Sequence, residues 1–428
     1  MWRSTSMKFL HTADIHLGYQ QYGVKERFND FSRVFLHIVD QAVLRQVDFV
    51  LLAGDLFEKR TVDPMAMRVA VEGLRKLRDA DIPTLAVEGN HEKAYYRDQY
   101  SWIEFLDALG YLRLLNPRFE DGHAVLEPYD DDGGAYADLV DTRVYGIKYY
   151  GASTGKVFRL FTESVCEDGR DGVGFAILMA HAGLEGQMDR YSGTLAANDL
   201  APLREAIDYL ALGHIHKPYE VDGWIYNPGA PETCSLEEVQ WPDRGYYVVD
   251  VDPDGEPGHQ AELVVPPRRP FHCLRLEVDA LTEPEAVYDA VSGLIRREGK
   301  KIARDPTPVV DLTLYGVLPF NRFDLDLDYV KSQLESAWNP VVTRVRNMTT
   351  PAEFEMAVDM EASRPELERS ILRELLERDA RFRPDAEAWT QVALDVKRLA
   401  LSGAPSEVLV DRLRHARAEL AAPAGEEV

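Results

Sequence analysis

Five short apolar stretches of this chain each stop on residue types that bind metal ions. They lead into Ala13-Asp14-Ile15-His16, Gly54-Asp55, Gly89-Asn90-His91-Glu92, Ala180-His181 and Gly213-His214-Ile215-His216. The runs before them, residues 8–12, 48–53, 83–88, 175–179 and 209–212, are predicted strands. In an open α/β sheet, ligands gather beyond the carboxyl ends of the strands. Five such ends would bring two aspartates, one asparagine and up to five histidines to one place, which folding alone does not demand. The set points to a centre for two metal ions. At a spacing of about 3.5–4 Å, such a pair clamps the attacking and leaving oxygens of a phosphoryl displacement.

A carboxylate can bridge two cations, and Asp55, behind the tight Gly54 turn, is the natural bridge. One ion would take Asp14, His16 and His216, and the other Asn90, His181 and His214. Asn90 gives an oxygen donor without a negative charge to repel an anionic substrate. A nitrogen and oxygen set without thiolate suits manganese, iron or zinc over a soft metal. His11, His37, His123, His259, His272 and His415 stand outside these motifs and are read as surface or hydrogen-bonded residues.

Together, Asp14-x-His16, Gly54-Asp55, Gly89-Asn90-His91, His181 and Gly213-His214-x-His216 resemble the calcineurin-like metallophosphoesterase superfamily. The opening His11-Thr12-Ala13-Asp14-Ile15-His16-Leu17-Gly18 is similar to the SbcD-type nucleases of double-strand-break repair. The resemblance implies that Asp14, His16, Asp55, Asn90, His181, His214 and His216 ligate two divalent ions, manganese foremost, with iron or zinc as substitutes. It implies that His91 is catalytic, contacting the scissile phosphate and helping the leaving oxygen. Two departures stand out. Many relatives carry histidine three residues after the bridging aspartate, where this chain has Glu58. The superfamily's usual Gly-Asn-His-Asp turn ends here in Glu92, which could alter how His91 is oriented.

With 428 residues, the chain has room for two or three domains. No apolar run is long enough to span a membrane, and residues 1–6 lack the apolar core of a signal peptide. Cys166, Cys234 and Cys273 are scattered, without a CxxC pair, so a reducing cytoplasm and a metal site built from His and Asp are expected. The net charge of −25 looks unsuited to DNA. Net charge governs long-range steering, however, and a local basic patch can still track phosphates. The cations are 12 lysines and 36 arginines, and arginine is the better bidentate phosphate binder. So acidic a chain is expected to need a partner to hold DNA.

The elements that must position the motifs follow from periodicity. Phe31, Val34, Phe35, Ile38, Val39, Ala42 and Val43 recur at helical spacing between the first two strands, and a second helix is predicted over 64–80, with Pro64 in its first turn. Strand–helix–strand repetition argues an α/β core with helices on both faces. The stretches around Ile225 and Tyr246–Val249 read as closing antiparallel strands. The stiff Pro266-Pro267-Arg268-Arg269-Pro270 segment is the expected boundary. Beyond it the pattern reads strand (271–278), helix (284–299), strand (308–315), helix (329–336), strand (341–346).

The tail opens on a capping box at Ser363-Arg364-Pro365-Glu366, followed by the stripe Leu367, Ile371, Leu372, Leu375 and Leu376 and two further amphipathic helices. The expected architecture is thus an α/β metallophosphoesterase β-sandwich flanked by helices (7–267), a small α+β capping domain (268–360) and a helical segment (361–428). By resemblance, the cap contacts DNA, and residues 361–420 grip the coiled coil of an SbcC-type SMC-like ATPase. A homodimer is expected, through the helices flanking 60–67 or 100–109. The chain so read is a two-metal DNA phosphodiesterase, an exo- or endonuclease subunit of a break-repair complex, cytoplasmic and nucleoid-associated. The alternative, a phosphoesterase for small phosphoesters or cyclic nucleotides, would share every ligand but need neither cap nor tail.

Overall fold

A computed structural model describes residues 6–94, 100–130, 133–169, 172–188, 192–252, 255, 258–302, 305–351, 364–379 and 381–420. Two six-stranded mixed sheets share an apolar core. In the first, Met7–Thr12, Phe49–Leu52, Thr84–Ala86 and Arg113–Leu114 run parallel in that order. Tyr246–Val251 joins antiparallel on the other side of Met7–Thr12, and His259–Val264 closes that edge. In the second, Phe175–Ala180 lies parallel between Thr142–Ile147 and Tyr209–Leu212, with Tyr136–Leu139 antiparallel at one edge. Tyr246–Val251 is antiparallel as expected. Ile225–Asn227 instead runs parallel to Tyr209–Leu212 and takes its antiparallel partner from Tyr219–Val221.

Side chains on a strand alternate between faces, which explains why these strands read as unbroken apolar runs. Phe9, Leu51, Leu85, Ile177, Met179 and Ala211 fill the space between the sheets. Their neighbours Leu10, Val50, Leu52 and Ala86 pack outward on helices Lys25–Leu44 and Pro64–Asp79, through Phe35, Ile38, Leu74 and Leu77. Leu178, Leu210 and Leu212 do the same with Phe158, Phe161 and Val165 of Thr154–Asp168. Parallel neighbours require crossover connections, and the helices supply them. Pro64–Asp79 starts where the Asp63 carboxylate accepts from Met65 N and Ala66 N at 2.8 and 3.0 Å. The result is a helix–sheet–sheet–helix sandwich, the class expected from the sequence.

The chain divides into two compact units, Met1–Leu276 with Tyr288–Leu314 and Asp326–Asn347, and Glu277–Val287 with Tyr315–Leu325 and Met348–Val428. Within the first, Arg27 is wholly buried, donating to Asp30, Glu232 and the Thr233 carbonyl at 2.5, 3.0 and 2.9 Å. Asp30 also takes Arg269, whose guanidinium reaches the Thr307 carbonyl. Buried charges survive only when so paired.

Beyond residue 270, strands Phe271–Glu277, Val309–Leu318 and Val342–Pro351 form a three-stranded sheet with Val309–Leu318 central, accompanied by helices Pro284–Glu298 and Leu327–Trp338. Within the second unit, helices Arg364–Arg378 and Ser406–Leu420 both pack on Ala386–Leu401. Ser363, the expected cap of the first of these, lies outside the described residues. Among the described residues no helix is long and apolar enough to cross a membrane.

Candidate metal centre

All five motif turns leave the same ends of the two sheets, and their backbones interlock. Asp14 N donates to Gly54 O at 3.0 Å, His16 N to Asp55 O at 3.1 Å, and Gly213 N to Ala180 O at 3.1 Å. Asp14, His16, Asp55 and His214 all have positive φ, between 53° and 84°. That region is costly for residues with a Cβ and persists where surrounding bonds enforce it. Two glycines let the turns close. A Cβ on Gly54 would stand 2.3 Å from His181 Nδ1, and one on Gly89 would stand 2.0 Å from Asp55 Oδ1.

The structure brings all seven expected donors together. Asp14, His16, Asp55, His181 and His214 are buried. Asp55 Oδ2 lies 3.2 Å from His181 Nε2, and Asn90 Oδ1 lies 3.1 Å from that nitrogen and 2.8 Å from His214 Nδ1. His181 Nδ1 donates to Ala53 O at 2.7 Å and His214 Nε2 to Ser192 O at 2.8 Å, which turns Nε2 of the one and Nδ1 of the other toward Asn90. On the other side, His16 Nε2 and His216 Nε2 face each other at 3.1 Å. His216 Nδ1 donates to Glu238 Oε1 at 2.8 Å, leaving its Nε2 a lone pair. Outer partners of this kind fix tautomer and ring orientation in metal sites. Asp14, Asp55 and His181 offer donor atoms all within 4.8 Å of one another. Opposed lone pairs and clustered carboxylates want a cation between them, so the residues fit divalent ions.

Electrostatics argue likewise. Burial alone would lower His16, but its contact with Glu58 and the charges of Asp55, Glu58 and Asp14 push it up to about 9. Burial opposes the charge of His181 as well, and Asp55 and Asp14 win, raising it to about 9. Those imidazoliums hold Asp55 far below the usual carboxylate range despite its burial. Burial and the neighbouring His181 lower His214 to about 4. Histidines that would carry protons to balance buried carboxylates are sites where a metal cation can take over that charge.

His91 sits differently. Its N–H meets Asp55 Oδ1 at 2.9 Å and its Nδ1 donates to Glu58 O at 2.7 Å, while 37 % of its side chain is exposed. It also clusters with His16 and Asp55 within 4.8 Å. The Glu58 carboxylate stands 3.0 Å from His16 Nδ1, backing that ring as Glu238 backs His216. The roles of three further residues escaped the sequence reading. Glu92 is more than a variant turn residue. Its buried carboxylate accepts Asp55 N and Gly89 N at 3.2 and 2.9 Å, and Leu56 N and Phe57 N at 2.7 and 3.2 Å. Burial, reinforced by the charge of Asp55, pushes its carboxyl up to about 8. Its motif position could have signalled this. Glu238 and Cys234 carry no spacing that would have revealed them, yet Cys234 groups with His16 and His216.

Residues 7–218 match the family model described as calcineurin-like phosphoesterase. The chain is 32% identical over 299 residues to the DNA double-strand break repair protein Mre11 of Aeropyrum pernix, covering 68% of each chain. It is 36% identical over 317 residues to the protein of that name in Archaeoglobus fulgidus, covering 70% of this chain and 68% of that one. The one in Saccharolobus solfataricus is 28% identical over 255 residues, 58% of this chain and 61% of that one. Sandwich and site together therefore define a calcineurin-like phosphoesterase. Within that class, this chain belongs to the Mre11 family.

Proposed function

We propose that this chain is the nuclease subunit of a DNA double-strand-break repair complex, hydrolysing DNA phosphodiesters with two divalent ions, manganese foremost. The observation that carries the reading is the convergence of seven nitrogen and oxygen donors at five strand ends, in a chain of the Mre11 family. Asp14, His16 and His216 would hold one ion, Asn90, His181 and His214 the other, and Asp55 both. When bound, such a pair supplies Lewis acidity and neutralises the charge that develops on an in-line phosphoryl displacement. The chain's own work is positional. The Ala53 and Ser192 carbonyls and the Glu238 carboxylate aim the imidazoles, and Glu92 holds two donor-bearing turns together. His91, its Nδ1 committed to Glu58 O, presents Nε2 as the atom that carries a proton to the leaving oxygen.

Residues 7–267 would form the nuclease domain, 268–360 a cap that contacts DNA, and 361–428 the segment that grips an SbcC-type ATPase. Exposed Trp102 and Phe105 on helix Trp102–Ala108, with Tyr100 and Leu109 beside its ends, or exposed Met65 on Pro64–Asp79, support a homodimer through one of these surfaces. We place the protein in the cytoplasm, on the nucleoid. The test is hydrolysis of single-stranded and hairpin DNA in manganese, beside a small bis-aryl phosphate. Cleavage of DNA is expected; turnover of the small ester alone would replace the reading with a small-molecule phosphoesterase.

A further inference from the structure

A sixth strand end reaches the centre. Thr142–Ile147 runs parallel to Phe175–Ala180 with Ile147 opposite Ala180, and the Ile147 carbonyl accepts His181 N at 3.2 Å. The residues that follow, Lys148 and Tyr149, are therefore delivered beside the donor turns. Tyr149 touches each of the three turns assigned to one ion. Its N–H donates to Glu88 O at 2.9 Å, at the residue before Gly89-Asn90. Its ring lies against His214, with centroids 5.0 Å apart and planes at 47°, and meets His181 edge to face at 6.0 Å. Its hydroxyl lies 3.0 Å from Ser192 Oγ, and the carbonyl of that same serine accepts His214 Nε2 at 2.8 Å. Tyr149, Ser192 and His214 thus close a triangle, tight enough that a Cβ on Gly193 would stand 2.6 Å from the tyrosine ring. The rings on the other side of the centre pack differently: His16 meets His216 at 5.0 Å and His91 at 4.9 Å.

We propose that Tyr149 is the positioning residue for the ion assigned to Asn90, His181 and His214, its ring fixing those three donors at the spacing the ion needs. The inference rests on that ligand assignment. A tyrosine side chain has only two rotatable angles before its hydroxyl, so a ring packed among imidazoles leaves them little freedom. Loss of an outer contact that orients a metal ligand typically lowers metal affinity by about 10–100-fold. The ion assigned to Asp14, His16 and His216 should form without Tyr149.

The experiment titrates the full chain with manganese beside its Tyr149→Ala and Tyr149→Phe variants. Bound metal is counted by elemental analysis after dialysis, and electron paramagnetic resonance separates a coupled manganese pair from an isolated ion. The unmodified chain is expected to take up two equivalents and show the coupled signal. Tyr149→Ala should keep one ion at unchanged affinity and bind the second at least about tenfold more weakly, with the isolated-ion signal in place of the coupled one. Tyr149→Phe, which retains the ring, should recover the pair. Equal weakening of both ions, two ions held as tightly as before, or a phenylalanine variant as poor as the alanine one would overturn the role of Tyr149. An unmodified chain that binds fewer than two ions would overturn the ligand assignment beneath it. Should the alanine variant fail to fold, Tyr149→Leu, which keeps apolar bulk but not the ring, takes its place with the same expectations.

Discussion

At the scale of single residues, the proposed function assigns some groups of the centre to holding ions and one, His91, to working on substrate. Asp55 is the convergence point: its backbone N–H is held by Glu92, its Oδ1 takes His91 N, and its Oδ2 faces His181. Asp55→Ala should therefore lose both metal ions and all hydrolysis. Two equivalents of manganese retained by the variant, measured by elemental analysis, would refute the bridge. His91 is held by its backbone and Nδ1 but turns an exposed edge outward. His91→Ala should keep both ions and slow turnover by about 10²–10⁴, the range of a positioned proton donor or acceptor. If the variant loses metal while its remaining loaded fraction works at the normal rate, His91 is a ligand instead.

Secondary-structure elements do not place these side chains by themselves; the turns beyond them do. The turns after Met7–Thr12, Phe49–Leu52 and Tyr209–Leu212 carry residues with positive φ, the turn after Thr84–Ala86 carries Gly89, and Glu92 ties the second of these to the last. It joins the turn after Phe49–Leu52 to the turn after Thr84–Ala86 through four backbone amides. Glu92→Ala would leave buried amides without acceptors, at a cost of about 1–3 kcal/mol for such a group. The expected outcome is lower stability in denaturant together with weaker retention of manganese, since Asp55 and Asn90 lie on the two turns joined. Glu92→Gln should not restore either property, because its NH2 would face backbone donors. Unchanged metal affinity in both variants would reduce Glu92 to an ordinary turn residue.

At the scale of the whole molecule, the tail is one of the places where apolar side chains remain uncovered. Its helices Arg364–Arg378 and Ser406–Leu420 each pack on Ala386–Leu401, with ion pairs such as Arg412–Asp395 at 3.1 Å. Leu375, Leu401, Val408, Val410 and Leu413 nevertheless stay exposed. Apolar side chains in such number mark an interaction surface, which supports the reading of a partner ATPase for this acidic chain. Ile371→Asp with Leu375→Asp should abolish co-purification with an SbcC-type ATPase while leaving cleavage of a small phosphodiester unchanged. Removal of everything after residue 361 should do the same. Undiminished pull-down by the double variant, or aggregation of the shortened chain, would return the helices to an internal packing role.

Much of this was legible in the sequence because its signals are local. A parallel strand buried on both faces must read as a continuous apolar run, so the five leading strands and the residues beyond them stood out, as did Lys25–Leu44 and Pro64–Asp79 by their period. Adjacent motif residues such as His214 and His216 were visible for the same reason. Pairing partners were not: whether Ile225–Asn227 met its neighbour parallel or antiparallel depended on which edge of the second sheet was left open. Nor could the sequence show that Glu238, twenty-two positions after His216, turns back to orient its ring, or that Cys234 arrives beside it. Those placements are long-range. They are decided only when Gln21, Arg27 and Arg244 find hydrogen-bond partners on the segment 232–238, because a buried polar group must be paired wherever along the chain its partner happens to lie.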